Sequence, residues 1–535
     1  MKEDRRNSGP RAVSPRARLI AVLDIGATAA RMEVAEVNPS GAMRTLEALS
    51  LPVGLGKDTF RIGRLRPETI EECVSALRHF RDVLREYGIE DLTEIRAVAT
   101  SAVREAANQE QFLNRIYLAT GFRVECLEDV ELSRITYMAL RDLLRRARAR
   151  RPWNHLAIEV GGGSTELILI QEDRVTFSET YRLGSLRLRE ALETRRVAPV
   201  EAQAGLDRHI QRFLVQMRHD LPERLPSTLI AISGDARFAA SQLSRPWAKV
   251  EYVRIAPRTF TAFARRIFSL SADDIVRLYQ MPYPEAETVG LALQIYAQIV
   301  RTFNVREIWV PKIHLRTGLE LEMATRSLWT SDFICQLEGS ARRFGEKYHV
   351  EPRHAEQVAK LCDRLFDALS PEHGLDRHYG FLLRIAALLH EAGLFVNSRN
   401  HHKHSMYLIH NSDLFGLTQE DILLVALIAR YHRRAMPLST HPFYGALSRE
   451  RKLVVQALAA LLRVADALDR GHTQRISVQS VEMGEGRCVI RVAGADDLTV
   501  ERAALKEKAD LFEAIYGGVV TLEQEGATRG AESNV

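Results

Sequence analysis

Short apolar runs and amphipathic helical segments alternate from residue 18 to residue 323, and a longer helical stretch follows them. Residues 19–26 form an apolar run of strand length, and the apolar residues within 67–88 recur at helical spacing. Further strand-like runs lie at 94–98, 122–126 and 228–232. This alternation predicts an α/β architecture, whereas residues 329–470 read almost wholly as helix.

The same pattern divides the chain into consecutive regions. The predicted regions are a disordered basic tail at 1–17, a first lobe at 18–140, a second lobe at 141–323, a helical domain at 324–472, a small α+β domain at 473–525 and a mobile tail at 526–535. At 535 residues the chain is long enough for several domains, each with its own core.

Composition narrows the class of protein. With 46% hydrophobic and 27% charged residues, no membrane-length apolar run and no secretion signal, the chain is typical of a cytoplasmic globular protein. The five cysteines are scattered without a CxxC pair, which argues against disulfides and a thiolate metal site. The net charge of +5 arises mainly in the N-terminal tail, so we expect neither a specific nucleic-acid partner nor a membrane partner.

A triple-glycine turn interrupts the apolar stretch at 156–170. The first apolar run carries Glu159, and the glycines Gly161, Gly162 and Gly163 lead through Ser164 and Thr165 into a second run. Successive backbone N–H groups in such a turn can converge on an anion, and Glu159 is placed to hold a metal ion against a phosphate. The alternative is a hairpin with a loose glycine turn and no ligand.

The pattern occurs a second time near the N-terminus, at residues 19–37. Asp24 corresponds there to Glu159, Gly26 corresponds to Gly161, and Thr28 lies in the turn. Two copies of this pattern predict a duplicated domain that grips a phosphate chain between its lobes.

Two further positions are candidates for phosphate binding. Gly234 follows the strand-like run 228–232 and forms a third glycine turn. Arg104 is either a bidentate phosphate clamp or an ordinary surface arginine.

Further motifs lie at 99–108, between the two turns, and at 183–189, 231–235, 388–393, 401–405 and 430–433, after them. From residue 18 to residue 525 this order resembles the Ppx/GppA family of exopolyphosphatases and guanosine pentaphosphate phosphohydrolases, within the sugar kinase/actin superfamily. The resemblance implies two actin-like lobes with a phosphate cleft, an all-α HD-like domain and a small α+β cap. It also implies a homodimer.

The same resemblance implies a hydrolase that uses water to release terminal phosphate from polyphosphate or guanosine pentaphosphate. Mg²⁺, or alternatively Mn²⁺, would be held by Asp24 and Glu159. The family's water-activating glutamate corresponds to Leu132, and the neighbouring Glu131 is the weaker catalytic candidate because adjacent helical residues point about 100° apart. A protein that binds polyphosphate or nucleotide for regulation and hydrolyses little is therefore the alternative.

The helical domain carries a second set of candidate ligands. His354, His390, Glu391 and Asp466 resemble the metal ligands of HD phosphohydrolases, with the longer Glu391 at the position of an aspartate. The substitution predicts a vacant or vestigial metal site, and hydrolysis at this site is a third hypothesis. We expect the histidine-rich segment 401–404 to be polar surface or an interface.

Overall fold

A computed structural model describes residues 17–39, 41–146, 154–193, 199–222, 225–325, 331–412, 414–484, 486–494 and 497–524. The chain divides into two compact units, Met1–Leu328 and Trp329–Val535. The predicted tail at 526–535 and residues 1–16 of the predicted basic tail lie outside the described residues. The first unit is α/β and the second begins with helices, as the sequence predicted.

The first sheet has five strands in the order β3-β2-β1-β4-β5. The elements of this lobe are β1 Arg18–Ile25, β2 Ala29–Val37, β3 Met43–Pro52, α1 Leu55–Ile62, α2 Pro67–Glu86, β4 Ile95–Ala99, α3 Ser101–Arg104, α4 Gln109–Thr120, β5 Val124–Cys126 and α5 Asp129–Arg146, with a 3-10 turn at Leu92–Glu94. The inner strand β1 is buried from Ile20 to Ile25, which explains why its sequence is apolar with little alternation.

The second sheet has six strands in the order β10-β11-β9-β6-β7-β8. Its elements are β6 His155–Val160, β7 Thr165–Gln171, β8 Arg174–Tyr181, α6 Ser185–Glu193, α7 Pro199–Asp220, β9 Thr228–Ala231, α8 Gly234–Leu243, β10 Tyr252–Ile255, α9 Pro257–Phe268, α10 Ala272–Tyr279, α11 Tyr283–Thr302, β11 Glu307–Pro311 and α12 Leu315–Thr325, with a 3-10 turn at Arg245–Lys249.

The two sheets share one topology. In each, an antiparallel three-stranded meander (β1-β2-β3 or β6-β7-β8) is joined on its far side by a strand that runs parallel to the first strand. That strand is β4 in the first sheet and β9 in the second. The duplication predicted from the two glycine turns therefore extends over most of each sheet.

The last helix of the first unit, α12, packs on the first sheet, although it follows β11 of the second sheet in the chain. Leu315 and Leu319 of α12 join a buried cluster with Val22 of β1 and Val98 of β4. The predicted boundary at residue 323 places this helix in the second lobe, because nothing in the sequence indicates that the chain packs back on the first sheet.

The second unit contains a helical core and a three-stranded sheet. Its elements are α13 Ser331–Lys347, α14 Pro352–Ala368, α15 Ser370–His373, α16 Arg377–Leu389, a 3-10 turn at Ala392–Phe395, α17 His401–His410, α18 Gln419–Arg430, α19 Arg449–Leu468, β12 Ser477–Gly484, β13 Arg487–Ala493, α20 Thr499–Lys508, α21 Asp510–Tyr516 and β14 Val519–Gln524. Within the ranges that the structure describes, no helix is long and apolar enough to cross a bilayer.

Candidate functional site

The two predicted glycine turns face each other across one cleft in the first unit. Both turns line this cleft, whose volume is about 550 Å³. They also approach each other closely, because a Cβ added to Gly162 would lie 3.1 Å from the Cβ of Ala27. The predicted convergence of the turns in one cleft is therefore confirmed.

The turns have the same backbone geometry. The N–H of Gly26 donates to the carbonyl of Ala29 at 3.0 Å, and the N–H of Gly161 donates to the carbonyl of Ser164 at 2.8 Å. The N–H groups of Gly162, Gly163 and Ser164 donate to no acceptor among the described residues. A run of unpaired amides in a cleft wall is an arrangement that binds anions.

Arg187 of α6 fixes the triple-glycine turn against the first lobe. Its Nε donates to the carbonyl of Gly163 at 2.7 Å, its Nη2 lies 2.6 Å from Glu105, and its guanidinium stacks 4.2 Å from the centre of the Phe60 ring. On the other side, a Cβ on Gly163 would lie 2.4 Å from the Ser101 hydroxyl. The turn is therefore held by packing and is not the loose hairpin of the alternative interpretation.

We expect Gly163→Ala to lower the free energy of unfolding by about 1–3 kcal/mol, because the added methyl group overlaps Ser101 and Phe60. Gly234→Ala is the matched control, since its Cβ would meet no atom closer than 3.9 Å. Its effect should stay within about 0.5 kcal/mol. Calorimetric melting of both variants measures the difference, and equal melting temperatures would contradict the packing argument.

Three other predicted phosphate contacts have different surroundings. Gly234 lines the cleft at the start of α8, where the Ser233 side chain caps the helix by accepting from the N–H of Ala236 at 3.0 Å. Thr165 does not line the cleft, because it is buried and its hydroxyl donates to the carbonyl of Leu183. Thr28 lines the cleft in the first turn.

Arg104 also lines the cleft, but its guanidinium already has protein partners. It donates to the carbonyl of Leu127 and to the carboxylate of Asp129. This arrangement matches neither prediction, because Arg104 is neither a clamp free to bind phosphate nor an ordinary surface arginine. A phosphate would share Arg104 with Asp129.

Glu159 and Glu166 form a pair of acids beside the triple-glycine turn. They lie directly opposite each other on β6 and β7, and both line the cleft. Glu166 is 3% exposed and accepts from the Thr136 hydroxyl of α5 at 3.4 Å. The Oε2 atom of Glu159 and the Oε1 atom of Glu166 are enclosed without a hydrogen-bond partner among the described residues.

Burial perturbs both carboxyl groups strongly. It raises the pKa of Glu159 to about 7, although Arg237 opposes the shift. It raises the pKa of Glu166 to about 8, to which the charge of Glu159 also contributes. Two enclosed acids with elevated pKa values in one cleft are typical of a catalytic site or a cation site.

Three further arginines line the same cleft as the acidic side chains. Arg316 of α12 lies 3.2 Å from Asp24 and 3.2 Å from Glu33, so Asp24 is paired with an arginine in this structure. Arg31 of β2 and Arg237 of α8 line the same cleft. The fold therefore adds four cleft residues that were not predicted from the sequence, Glu166, Arg31, Arg237 and Arg316.

Leu132 lines the cleft, whereas Glu131 does not. Glu131 lies 3.3 Å from Arg96 and 3.7 Å from Arg134, and both arginines also contact the buried Glu322. The predicted rotation between the two neighbours is therefore confirmed, and Glu131 belongs to an ion-pair cluster outside the cleft. Glu131 therefore stays the weaker of the two candidate positions for a catalytic carboxylate.

The second unit brings the other predicted ligand set together. Ligand atoms of His354, His390 and Glu391 all lie within 4.8 Å of one another. An oxygen of Asp466 lies 3.7 Å from Nε2 of His354. The longer side chain of Glu391 therefore remains within reach of both histidines.

The chain is similar to known proteins over most of its length. Residues 34–327 match the sequence profile of the Ppx/GppA phosphatase family, and residues 338–509 match that of Ppx/GppA phosphatase domain III. Over 471 residues the chain is 25% identical to the guanosine-5'-triphosphate,3'-diphosphate pyrophosphatase of Aeromonas salmonicida, covering 85% of this chain and 88% of that protein. A crystal structure of an exopolyphosphatase from Cytophaga hutchinsonii is similar over 58% of this chain and 98% of its own, with 20% identity and a TM-score of 0.52.

Proposed function

Because the chain belongs to the Ppx/GppA phosphatase family, we propose that it hydrolyses phosphoanhydride bonds in the cleft of its first unit. The substrate would be polyphosphate or guanosine pentaphosphate, from which terminal phosphate is released. The observation that carries this proposal is the pairing of two glycine turns, one with unpaired amides, beside enclosed acids in a single cleft. Phosphoryl transfer depends mainly on positioning and charge neutralisation, which these groups can supply.

The chain's own residues divide into binding and catalytic groups. The amides of Gly162, Gly163 and Ser164 would hold phosphate oxygens, and Arg31 and Arg237 would offset the negative charge of the chain. Glu166 would accept the proton of the attacking water. Its pKa is raised to about 8, so it is a stronger base than an ordinary glutamate, and phosphate release should rise with pH as this group ionises.

A divalent cation fits the acids on the cleft wall. The unpartnered oxygen of Glu159 and the adjacent Asp24 offer the hard oxygen ligands that Mg²⁺ prefers, with Mn²⁺ as the alternative. When bound, the ion would neutralise charge on the transferred phosphoryl group. Asp24 would then exchange part of its contact with Arg316 for the cation.

Mg²⁺ is expected to raise the melting temperature more at pH 8 than at pH 6. In the folded protein without a cation, Glu159 and Glu166 keep protons up to pKa values of about 7 and about 8, against 4.5 as the ordinary value. The folded state therefore binds more protons than the unfolded state, and stability falls as pH rises from 4.5 through these values. A cation relieves this loss only where the carboxylates are ionised.

Thermal melting with and without Mg²⁺ at both pH values, at constant ionic strength, measures the effect. Glu159→Gln should reduce the Mg²⁺-dependent shift and its dependence on pH. Equal shifts at pH 6 and pH 8 in the wild-type protein would contradict a cation site at these acids.

A polyphosphate-binding or nucleotide-binding regulator is the second candidate function. The cleft-lining position of Leu132 favours it, because an apolar side chain stands where the family resemblance expects a carboxylate. Phosphate release from polyphosphate and from guanosine pentaphosphate, with Mg²⁺ and with Mn²⁺, distinguishes the two when equilibrium binding is measured beside it. Tight binding without release would establish the regulator and exclude the hydrolase.

A further inference from the structure

Five helices of the second unit direct polar side chains toward one point in its interior. His354 lies on α14, His390 and Glu391 end α16, His401 begins α17, His432 follows α18 and Asp466 lies on α19. His354, His390, His432 and Asp466 are buried, whereas His401 is partly exposed. The sequence predicts polar surface or an interface for the segment that includes His401, because it gives no sign that the first histidine turns inward.

The four histidines are oriented alike. In each ring Nδ1 faces an oxygen: at 2.8 Å from Asp469 for His354, 2.7 Å from the carbonyl of Ala387 for His390, 3.1 Å from the carbonyl of Ser398 for His401, and 2.6 Å from the carbonyl of Ala429 for His432. A carbonyl oxygen only accepts, so Nδ1 must carry the proton in the last three rings. Each of these three rings, when neutral, presents an unprotonated Nε2. His354 differs, because both of its ring nitrogens face aspartates, which raise its pKa to about 9 although burial opposes the shift.

In His390, His401 and His432 no donor among the described residues satisfies the Nε2 lone pair. In His354 and His390 the atom is buried without a hydrogen-bond partner among the described residues. In His401 and His432 the two Nε2 atoms lie 3.1 Å from each other. Two lone pairs at this distance repel unless a proton or a cation lies between or beside them. Fixing Nδ1 with a carbonyl or carboxylate so that Nε2 is free is how proteins prepare histidines for metal binding.

Two carboxylates complete the set. An oxygen of Glu391 lies within 4.8 Å of the ring nitrogens of His354 and His390. One oxygen of Asp466 forms a salt bridge with Lys508. Its other oxygen lies 3.7 Å from Nε2 of His354. Lys508 therefore orients Asp466 and leaves one oxygen facing the histidines.

We propose that His354, His390, Glu391, His401, His432 and Asp466 form a binding centre for a divalent first-row transition metal. Mixed imidazole and carboxylate ligands suit Mn²⁺, Fe²⁺, Co²⁺, Ni²⁺ or Zn²⁺ better than a site made only of oxygen ligands would. The centre lies wholly within the second unit and shares no residue with the cleft acids. Its occupancy therefore does not depend on the function proposed for the first unit.

The metal content of the full-length protein tests this centre directly. Protein purified without a polyhistidine tag, from medium supplemented with Mn²⁺, Fe²⁺ and Zn²⁺, should contain near-stoichiometric metal by plasma mass spectrometry. After chelation, titration with Co²⁺ should produce ligand-field absorption bands, and Zn²⁺ affinity follows from competition with a chromophoric chelator.

The variants separate ligand loss from general damage. His390→Ala and His401→Ala should each weaken Zn²⁺ binding by at least about tenfold, and Asp469→Asn, which alters only the partner of His354, by about 10–100-fold. His79→Ala, an exposed histidine of α2, is the control and should bind as the wild type does. Circular dichroism verifies folding. Because His401 is partly exposed, His401→Ala should still fold if loss of the buried His390 unfolds the protein.

Two results would overturn the proposal. In the first, the wild-type protein retains no metal and binds neither Co²⁺ nor Zn²⁺ at micromolar concentrations, so a proton shared by His401 and His432 explains their contact. In the second, metal binds but the His390, His401 and Asp469 variants bind it with wild-type affinity, so the metal lies elsewhere.

Discussion

Glu166→Gln is expected to reduce the single-turnover rate of phosphate release by about 10²–10⁴-fold, the usual contribution of a general base. The substitution preserves the size of the side chain and its ability to accept from Thr136, but it removes the group that takes the proton of water. Substrate affinity should change much less, because the turn amides and arginines that would hold the phosphates remain. The measurement is rapid-quench phosphate release at saturating substrate, beside equilibrium binding of the same substrate.

Glu131→Gln is the matched control for this experiment. Glu131 is a neighbouring acid, but it faces Arg96 and Arg134 outside the cleft. Its replacement should leave the rate within a few-fold of wild type. If Glu131→Gln abolishes release while Glu166→Gln is harmless, the base is Glu131 and the helix orientation must differ when substrate is bound.

In the Glu166→Gln background, Leu132→Glu is expected to increase the rate of phosphate release by roughly 10²-fold, within the range that a positioned base contributes. Leu132 lies on α5 and lines the same cleft as Glu166. A carboxylate introduced here would act on the same water from the helix side. The gain should appear in the single-turnover rate at saturating substrate, with little change in affinity.

Leu132→Gln separates base chemistry from a change in packing. It has nearly the size and polarity of the glutamate but cannot take a proton at neutral pH, so it should give no increase. A gain with Leu132→Gln equal to that with Leu132→Glu would show that removing the leucine is sufficient. No gain in either variant, with wild-type release at background, would instead support the regulatory function.

The sequence predicted individual elements better than their packing. The start of α2 at Pro67 and the two hairpins follow from local rules of proline placement and apolar periodicity. The position of α12 on the first sheet does not, because it depends on contacts of Leu315 with Val22 and Val98, which lie more than two hundred residues earlier in the chain. The break between α20 and α21 is equally hidden in the sequence, because no proline or glycine marks it.

The candidate site was predicted incompletely for a similar reason. The paired turns, Asp24 and Glu159 were visible as a repeated pattern, whereas Arg237 and Arg316 reach the cleft only through the tertiary fold. Glu166 did leave a signal. A four-residue turn between antiparallel strands places the residues on either side of it in register, so Glu159 had to lie opposite Glu166.

For the histidines of the second unit, spacing along the chain predicts neither the distances between the rings nor their orientation. His354, His390 and Asp466 were recognised from a resemblance, but their separation along the chain gave no distances. The contribution of His401 depends on the turn of the chain before α17, which directs its ring toward His432. Whether an exposed-looking histidine is a ligand is decided by the orientation of its ring, and sequence periodicity does not contain that information.

The contact between Ala27 and Gly162 limits how the first unit can move. With the two turns in close approach, and Arg187 joining the triple-glycine turn to Glu105 of the first lobe, the turns cannot separate without breaking packed contacts. Any opening of the cleft must therefore occur away from these turns. The amides are thus set in place when the chain folds, so an arriving anion loses its own freedom but does not have to order the protein around it.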